Sequence, residues 1–226
     1  MHIEPGIVTG AKIALSYATA AGAGVVALKY LWDSVRESGL PAVALRSVAA
    51  TIAVFIFFQV LPHHPVGVSE VHLILGSTLF LILGTGPAAF GLAAGLLIQG
   101  LFFAPADLPQ YAMNVTTLLV PLFVVAALAQ RIIPAGTAYA DLRYRDALAL
   151  SVAYQGGIVA WVTFWAIYGH GFGAETMASV ATFGAAYMLV VLLEPVVDLA
   201  VLAGAKALRG NAGGLIAPRV HEGAQG

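Results

Sequence analysis

The sequence contains no cysteine. That excludes a disulfide framework, a thiolate metal site and thiol chemistry together, so any metal must be held by nitrogen or oxygen. Charge is nearly as scarce. Only 9% of the 226 residues are Asp, Glu, Lys or Arg, where a soluble domain carries about 25%. The formal net charge of −1 offers nothing to a nucleic-acid backbone. No phosphate-binding Gly-x-x-x-x-Gly-Lys loop is present, so the chain is not expected to hydrolyse a nucleotide itself. There is no His-Glu-x-x-His pair for a metalloprotease and no Gly-x-Ser-x-Gly elbow. The first residues lack a basic stretch, and no small-residue cleavage site follows the first apolar run. A removed leader is therefore not expected, and Met1 reads as the mature start. Its bulky neighbour His2 disfavours removal of the methionine, which leaves a free α-amine.

Apolar residues fill the space that charge vacates: 60% of the chain is hydrophobic, with a mean hydropathy of +0.92. Such a chain belongs in a bilayer, where a span needs about 20 mostly apolar residues. Seven stretches are predicted to cross as helices, over residues 8–31, 42–60, 71–84, 87–104, 113–133, 147–168 and 177–205. The fold class is thus an all-α polytopic membrane protein. Residues 1–205 form one integral membrane domain, and 206–226 form a polar cytoplasmic tail. The third stretch is short, so it is either tilted or only partly crossing. Gly84-Thr85-Gly86-Pro87 is so tight a link that the third and fourth stretches must be antiparallel.

Charge sets the orientation. With the N-terminus outside and the C-terminus cytoplasmic, Lys29, Arg36, Arg46, Arg131, Arg143, Arg145, Lys206, Arg209 and Arg219 all fall inside, and only Lys12 lies outside. The positive-inside rule requires this asymmetry. The same topology gathers His2, His63, His64, His72 and His170 at the outer face. Capture of a cation from outside would place ligands this way; equally, loop histidines occur where loops are.

Met1-His2 can act as a nitrogen claw. The α-amine, the amide nitrogen of residue 2 and the near ring nitrogen of His2 can fill three corners of a square around one ion. Flat nitrogen coordination suits Cu(II) and Ni(II), and Co(II) can be forced into it, whereas Mg, Ca and tetrahedral Zn do not favour it. His72, near the start of the third stretch, is the choice for the fourth corner. Taken alone it reads as a capping or interfacial histidine. His63 and His64 are adjacent in a proline-flanked loop, diverge, and are expected to be solvated. Glu70 and Glu4 are candidates to offset the metal charge or orient an imidazole, as metal-bound histidines usually require, or else to pair with Lys12. Ser69 belongs to the same supporting group. Asn114 is placed to hold the loop roofing the site or to cap a helix, and Asp107 to face solvent. Glu194 and Asp198, four apart around Pro195 and near the inner end, are expected to form a structural ion pair with Arg131, Arg143 or Arg145, or else to meet a partner subunit.

The combination of Met1-His2-Ile3 with Pro5-Gly6, Gly67-Val68-Ser69 leading to His72-Leu73 and Gly76, Gln99-Gly100-Leu101-Phe102-Phe103, and Met113-Asn114 before a Pro121-containing span resembles the CbiM/NikM family. These are the substrate-binding membrane components of energy-coupling factor transporters for cobalt and nickel. The resemblance covers about residues 1–205. It implies a Co²⁺ or Ni²⁺ substrate held by Met1, His2 and His72, seven helices, a transmembrane coupling subunit and a pair of ATP-binding cassette ATPases as partners. It also implies a bacterial-type cytoplasmic membrane and no enzymatic activity of the chain's own. Glu70-Val71 and Gln110-Tyr111-Ala112-Met113 depart from the family pattern. Two other classes remain open to the sequence: an intramembrane metal-dependent enzyme or metal sensor, and a binding subunit for an organic micronutrient. Four nitrogens do not choose between cobalt and nickel.

Overall fold

The computed structural model describes residues 3–207 and residue 220. Met1, His2 and most of the expected tail lie outside the described residues. Seven α-helices are present among them: α1 (Ile13–Ser38), α2 (Leu40–Phe55, continued by a π turn over Ile56–Val60), α3 (Gly76–Leu83), α4 (Thr85–Phe102), α5 (Tyr111–Ile132), α6 (Tyr144–His170) and α7 (Ala174–Ala207). A two-stranded hairpin, β1 (His64–Val66) and β2 (Ser69–Val71), lies between α2 and α3.

Six helical segments are long and apolar enough to cross a membrane. The exception is α3, whose 8 residues span about 12 Å against a hydrocarbon core of about 30 Å. The chain nevertheless crosses there. Gly91 of α4 packs on Ala50 of α2, and Gly95 packs on Val54, so α2 and α4 run in the same direction. Residues 61–84 must therefore return from one end of the bundle to the other. They do so as a hairpin, a short non-helical stretch and one short helix. The predicted helix over 71–84 forms only in its second half.

One end of the bundle, here the site end, carries the N-terminal segment, the close of α2, the hairpin and the start of α5. Lys29, Arg36, Arg46, Arg131, Arg143, Arg145 and Lys206 collect toward the other end, where α1 closes, α2 opens, α5 closes, α6 opens and α7 closes. At that end Arg46 is buried and directs Nη1 at the carbonyl of Leu83, the last residue of α3, a favourable cation at a helix C-terminus. Gly84, with φ +90°, then reverses the chain into α4, a left-handed turn that glycine adopts at no steric cost. Val220, the one described residue beyond Ala207, is buried and donates its N–H to the Thr137 carbonyl at 3.0 Å.

The core is the interior of the helix bundle. Trp165, Tyr154, Tyr187, Phe58, Phe80 and Phe183 are its largest fully buried side chains. Apolar side chains exposed on α1, α2 and α7 face where lipid would lie, which is why a soluble protein could not tolerate this surface.

Candidate metal site

The site end is built around the hairpin. β1 and β2 pair antiparallel with His64 opposite Val71, Pro65 opposite Glu70 and Val66 opposite Ser69. Its turn holds Gly67 at φ +63°, and a Cβ there would stand 2.2 Å from the Ser179 carbonyl oxygen of α7. Only glycine allows that contact. The hairpin is thereby seated directly on α7.

The N-terminal segment completes the ribbon. Ile3 bridges Ser69, and the Glu4 N–H donates to the Val68 carbonyl at 3.2 Å. The Ile3 N–H donates to Asn114 Oδ1 at 2.8 Å. Ile3, Ser69 and Asn114 are all buried. Asn114 therefore ties down the N-terminal strand rather than capping α5. Farther along, Lys12 donates to the carbonyls of Tyr168 and Gly169 at the end of α6, at 3.0 and 2.8 Å, rather than joining Glu4 or Glu70. The Ile7 carbonyl lies where a Cβ on Gly169 would stand, and His170 Nε2 sits 3.3 Å from the Gly6 carbonyl.

His72 is 1% exposed and its Nε2 lies 2.8 Å from Glu70 Oε2. The pair exists because this stretch is strand, not helix. Residues i and i+2 share a face of an extended chain, whereas a helix would separate them by about 200°. A carboxylate only accepts, so in the neutral ring Nε2 carries the hydrogen and Nδ1 carries the in-plane lone pair. The ring is packed edge-on against Phe58 at 5.0 Å and stacked on His63 at 4.9 Å with 12° between planes. Phe58 belongs to the π turn that closes α2, a distortion frequent at functional sites.

His63 departs from expectation. It is half-buried against His72, with Nδ1 3.2 Å from the Leu61 carbonyl, rather than solvated. The in-plane lone pairs of stacked rings lie in near-parallel planes and do not converge, so the two cannot grip one ion as stacked. His64 is exposed, as expected.

Glu4, Glu70 and Asp107 give the site end a negative character. Glu4 is half-buried, and its carboxyl is pushed above the usual range, first by burial and then by repulsion from Glu70 and Asp107. Asp107, expected in solvent, is half-buried as well. A cation would relieve this crowding. Among the described residues, no group of three or more His, Cys, Asp or Glu gathers to hold an ion. The expected ligand set needs Met1 and His2, which lie outside the described residues.

The largest correction concerns Glu194 and Asp198. Among the described residues they form no ion pair. Both are buried, at 0% and 1% exposure, inside the bundle. Glu194 accepts the backbone N–H of Ile74 and that of Leu75, and the side-chain N–H of Gln155. Gln155 Oε1 in turn accepts from the Tyr187 hydroxyl at 2.6 Å. Asp198 accepts from the Ser77 hydroxyl at 2.5 Å. Leu75 itself sits at φ +51°, the one non-glycine residue with positive φ among those described, a conformation costing about 1 kcal/mol. Arg143 and Arg145 turn instead to Asp146. Sequence reasoning noted the two carboxylates but missed their partners. The signal was Gln155, a lone amide at bilayer depth, where polar groups are rare without a role.

Comparison with known proteins gives two matches. A family model described as the cobalt uptake substrate-specific transmembrane region (CbiM) matches residues 2–211. A solved structure described as a truncated transition metal transporter superposes with a TM-score of 0.64 at 17% identity, covering 90% of this chain and 97% of the other. At that identity the likeness is one of fold. No curated protein matches by sequence.

Proposed function

From the premise that this chain belongs to the CbiM cobalt-uptake family of transmembrane proteins, we propose that it is the substrate-capture subunit of an energy-coupling factor importer for Co²⁺ or Ni²⁺. The ion is substrate, not resident cofactor. It is bound at the outer face by the Met1 α-amine, the amide and ring nitrogens of His2, and His72. The N-terminus lies outside and the C-terminus in the cytoplasm of a bacterial-type inner membrane. A transmembrane coupling subunit and two ATP-binding cassette ATPases complete the working complex and supply the energy, since this chain is itself no enzyme.

The observation that carries this reading is the Glu70–His72 pair beside the anchored Ile3 amide. Metal-bound histidines characteristically donate their second ring N–H to a carboxylate, which fixes the tautomer and raises ligand basicity. His72 has that arrangement at 2.8 Å. Ile3, the first described residue, bridges Ser69, three residues before His72, and is bonded to Asn114, which anchors the start of the described chain on the strand that leads to His72. The acidic Glu4, Glu70 and Asp107 favour a cation there.

Binding through a deprotonated amide and amine must release protons, so affinity should rise with pH. The decisive test adds one residue before Met1. Metal content of the purified protein, measured by elemental analysis, should fall to background with the fold intact. His72→Ala should do the same. Undiminished metal in the extended protein would rule the claw out.

A further inference from the structure

We propose that Glu194 is a positioning residue for the metal site. Its carboxylate holds the backbone of residues 72–75 unwound, and so sets where His72 sits. The inference rests on the reading of His72 as a ligand, and the experiment below separates the two.

Nothing local keeps residues 71–75 out of a helix. Val71-His72-Leu73-Ile74-Leu75 is free of glycine and proline and runs straight into α3. Sequence alone reads it as helix. Yet the chain is non-helical there and turns left-handed at Leu75. Non-helical backbone at membrane depth is tolerated only where its polar groups find partners in protein. For Ile74 and Leu75 that partner is Glu194, 120 residues away.

The carboxylate is itself held in place. Gln155 of α6 donates to it, and Tyr187, two turns earlier on α7, fixes Gln155; all three side chains are fully buried. α7 therefore grips the third crossing at three heights. Ser179 abuts Gly67, Glu194 takes the two amides, and Asp198 takes Ser77. The middle grip is the one that holds non-helical backbone by hydrogen bonds.

The alternative conformation defines what Glu194 prevents. Winding residues 72–75 into helix would shorten the chain, because a helix rises only about 1.5 Å per residue. His72 would then be drawn toward the opposite end of the bundle. Glu70 and His72 would also leave their shared face. Glu194 touches no ligand nitrogen in this account; it acts through the backbone.

The test uses the full chain, untagged at its N-terminus, purified in detergent, with Ni(II) chloride as probe. Three readouts are taken: the Ni(II) dissociation constant by calorimetry, the visible d–d absorption of the complex, and amide hydrogen exchange of the peptide covering Ile74 and Leu75. Glu194→Ala should weaken Ni(II) about 10- to 100-fold, the range typical when a supporting group is lost. It should shift the absorption band and speed exchange at Ile74 and Leu75, while α4 and α5 stay protected. Glu194→Gln keeps an acceptor oxygen and should recover most of the affinity. Leu75→Gly, which relieves the left-handed strain, should restore part of it in the Glu194→Ala background. Should Glu194→Ala fail to fold, Glu194→Asp carries the same comparison through its shortened reach. Wild-type affinity and band in a folded Glu194→Ala protein, or unchanged exchange at Ile74 and Leu75, would overturn the proposal. Wild-type Ni(II) binding by His72→Ala would instead overturn the ligand reading, with the exchange result still judging the clamp.

Discussion

Where α4 meets α1 and α2, backbones touch; where the third crossing meets α7, buried polar groups do the joining. On the first side a Cβ on Gly86 would stand 2.7 Å from Leu31 Cα, on Gly91 2.3 Å from Ala50 Cβ, and on Gly95 2.6 Å from Val54 Cγ1. Lipid tails give helices no hydrophobic reason to associate, so close van der Waals approach through small residues supplies the attraction. On the second side Glu194, Gln155, Tyr187, Ser77 and Asp198 form hydrogen bonds out of contact with water. The glycine side can be regular because its helices satisfy their own backbones. The polar side cannot, because it must hold a broken crossing. Irregularity and the candidate metal site therefore occur together, and the glycine side reaches them through the π turn that closes α2, where Phe58 packs on His72.

That contrast can be attacked from either side. Gly91→Val strikes the scaffold hardest, since the added methyls overlap Ala50 backbone as well as its side chain. Thermal unfolding in detergent should reveal a loss of about 3 kcal/mol or more, the upper range for overpacking. Metal affinity of the fraction that still folds should be unchanged. A parallel loss of affinity would show that the two halves are not separable. Ser77→Ala removes the donor to a buried carboxylate oxygen and should cost about 1–3 kcal/mol by the same assay, with a smaller weakening of metal binding. Asn114→Ala leaves the Ile3 N–H without its acceptor. Its stability cost should be about 1 kcal/mol, yet metal affinity should drop about tenfold. Asn114 would then mark the position where affinity and stability come apart most clearly; proportionate changes in both would blur the comparison.

The crossings were legible in the sequence because lipid imposes one rule on all of them. A long apolar run must become a helix, since no water is present to satisfy an open backbone. α1, α2 and α4–α7 obey it, differing from expectation mainly at their ends; α1 continues to Ser38 through Asp33 and Arg36. The third crossing escaped that rule. Its apolar run looks like helix, and its departure depends on a carboxylate far along the chain. The candidate ligands were legible for a similar reason. His72 and Glu70 stood out as polar residues beside an apolar run, and Asn114 as an amide at a span's opening. Their relationships were not legible. A helical reading of residues 71–84 hides the shared face of Glu70 and His72, and the stacking of His63 on His72 needs the hairpin to exist.

Composition and order of residues alone settled the membrane class, the segments that cross, the gathering of positive charge at one end and the residue types available to hold a metal. These follow from transfer energetics, which act on each segment separately. Only the tertiary structure decided that the third crossing is only half helix, that His72 meets Glu70 and His63, and that Glu194 and Asp198 serve backbone and hydroxyl donors rather than arginines. Those outcomes turn on which distant group reaches an otherwise unpaired amide, and no local stretch of chain carries that information.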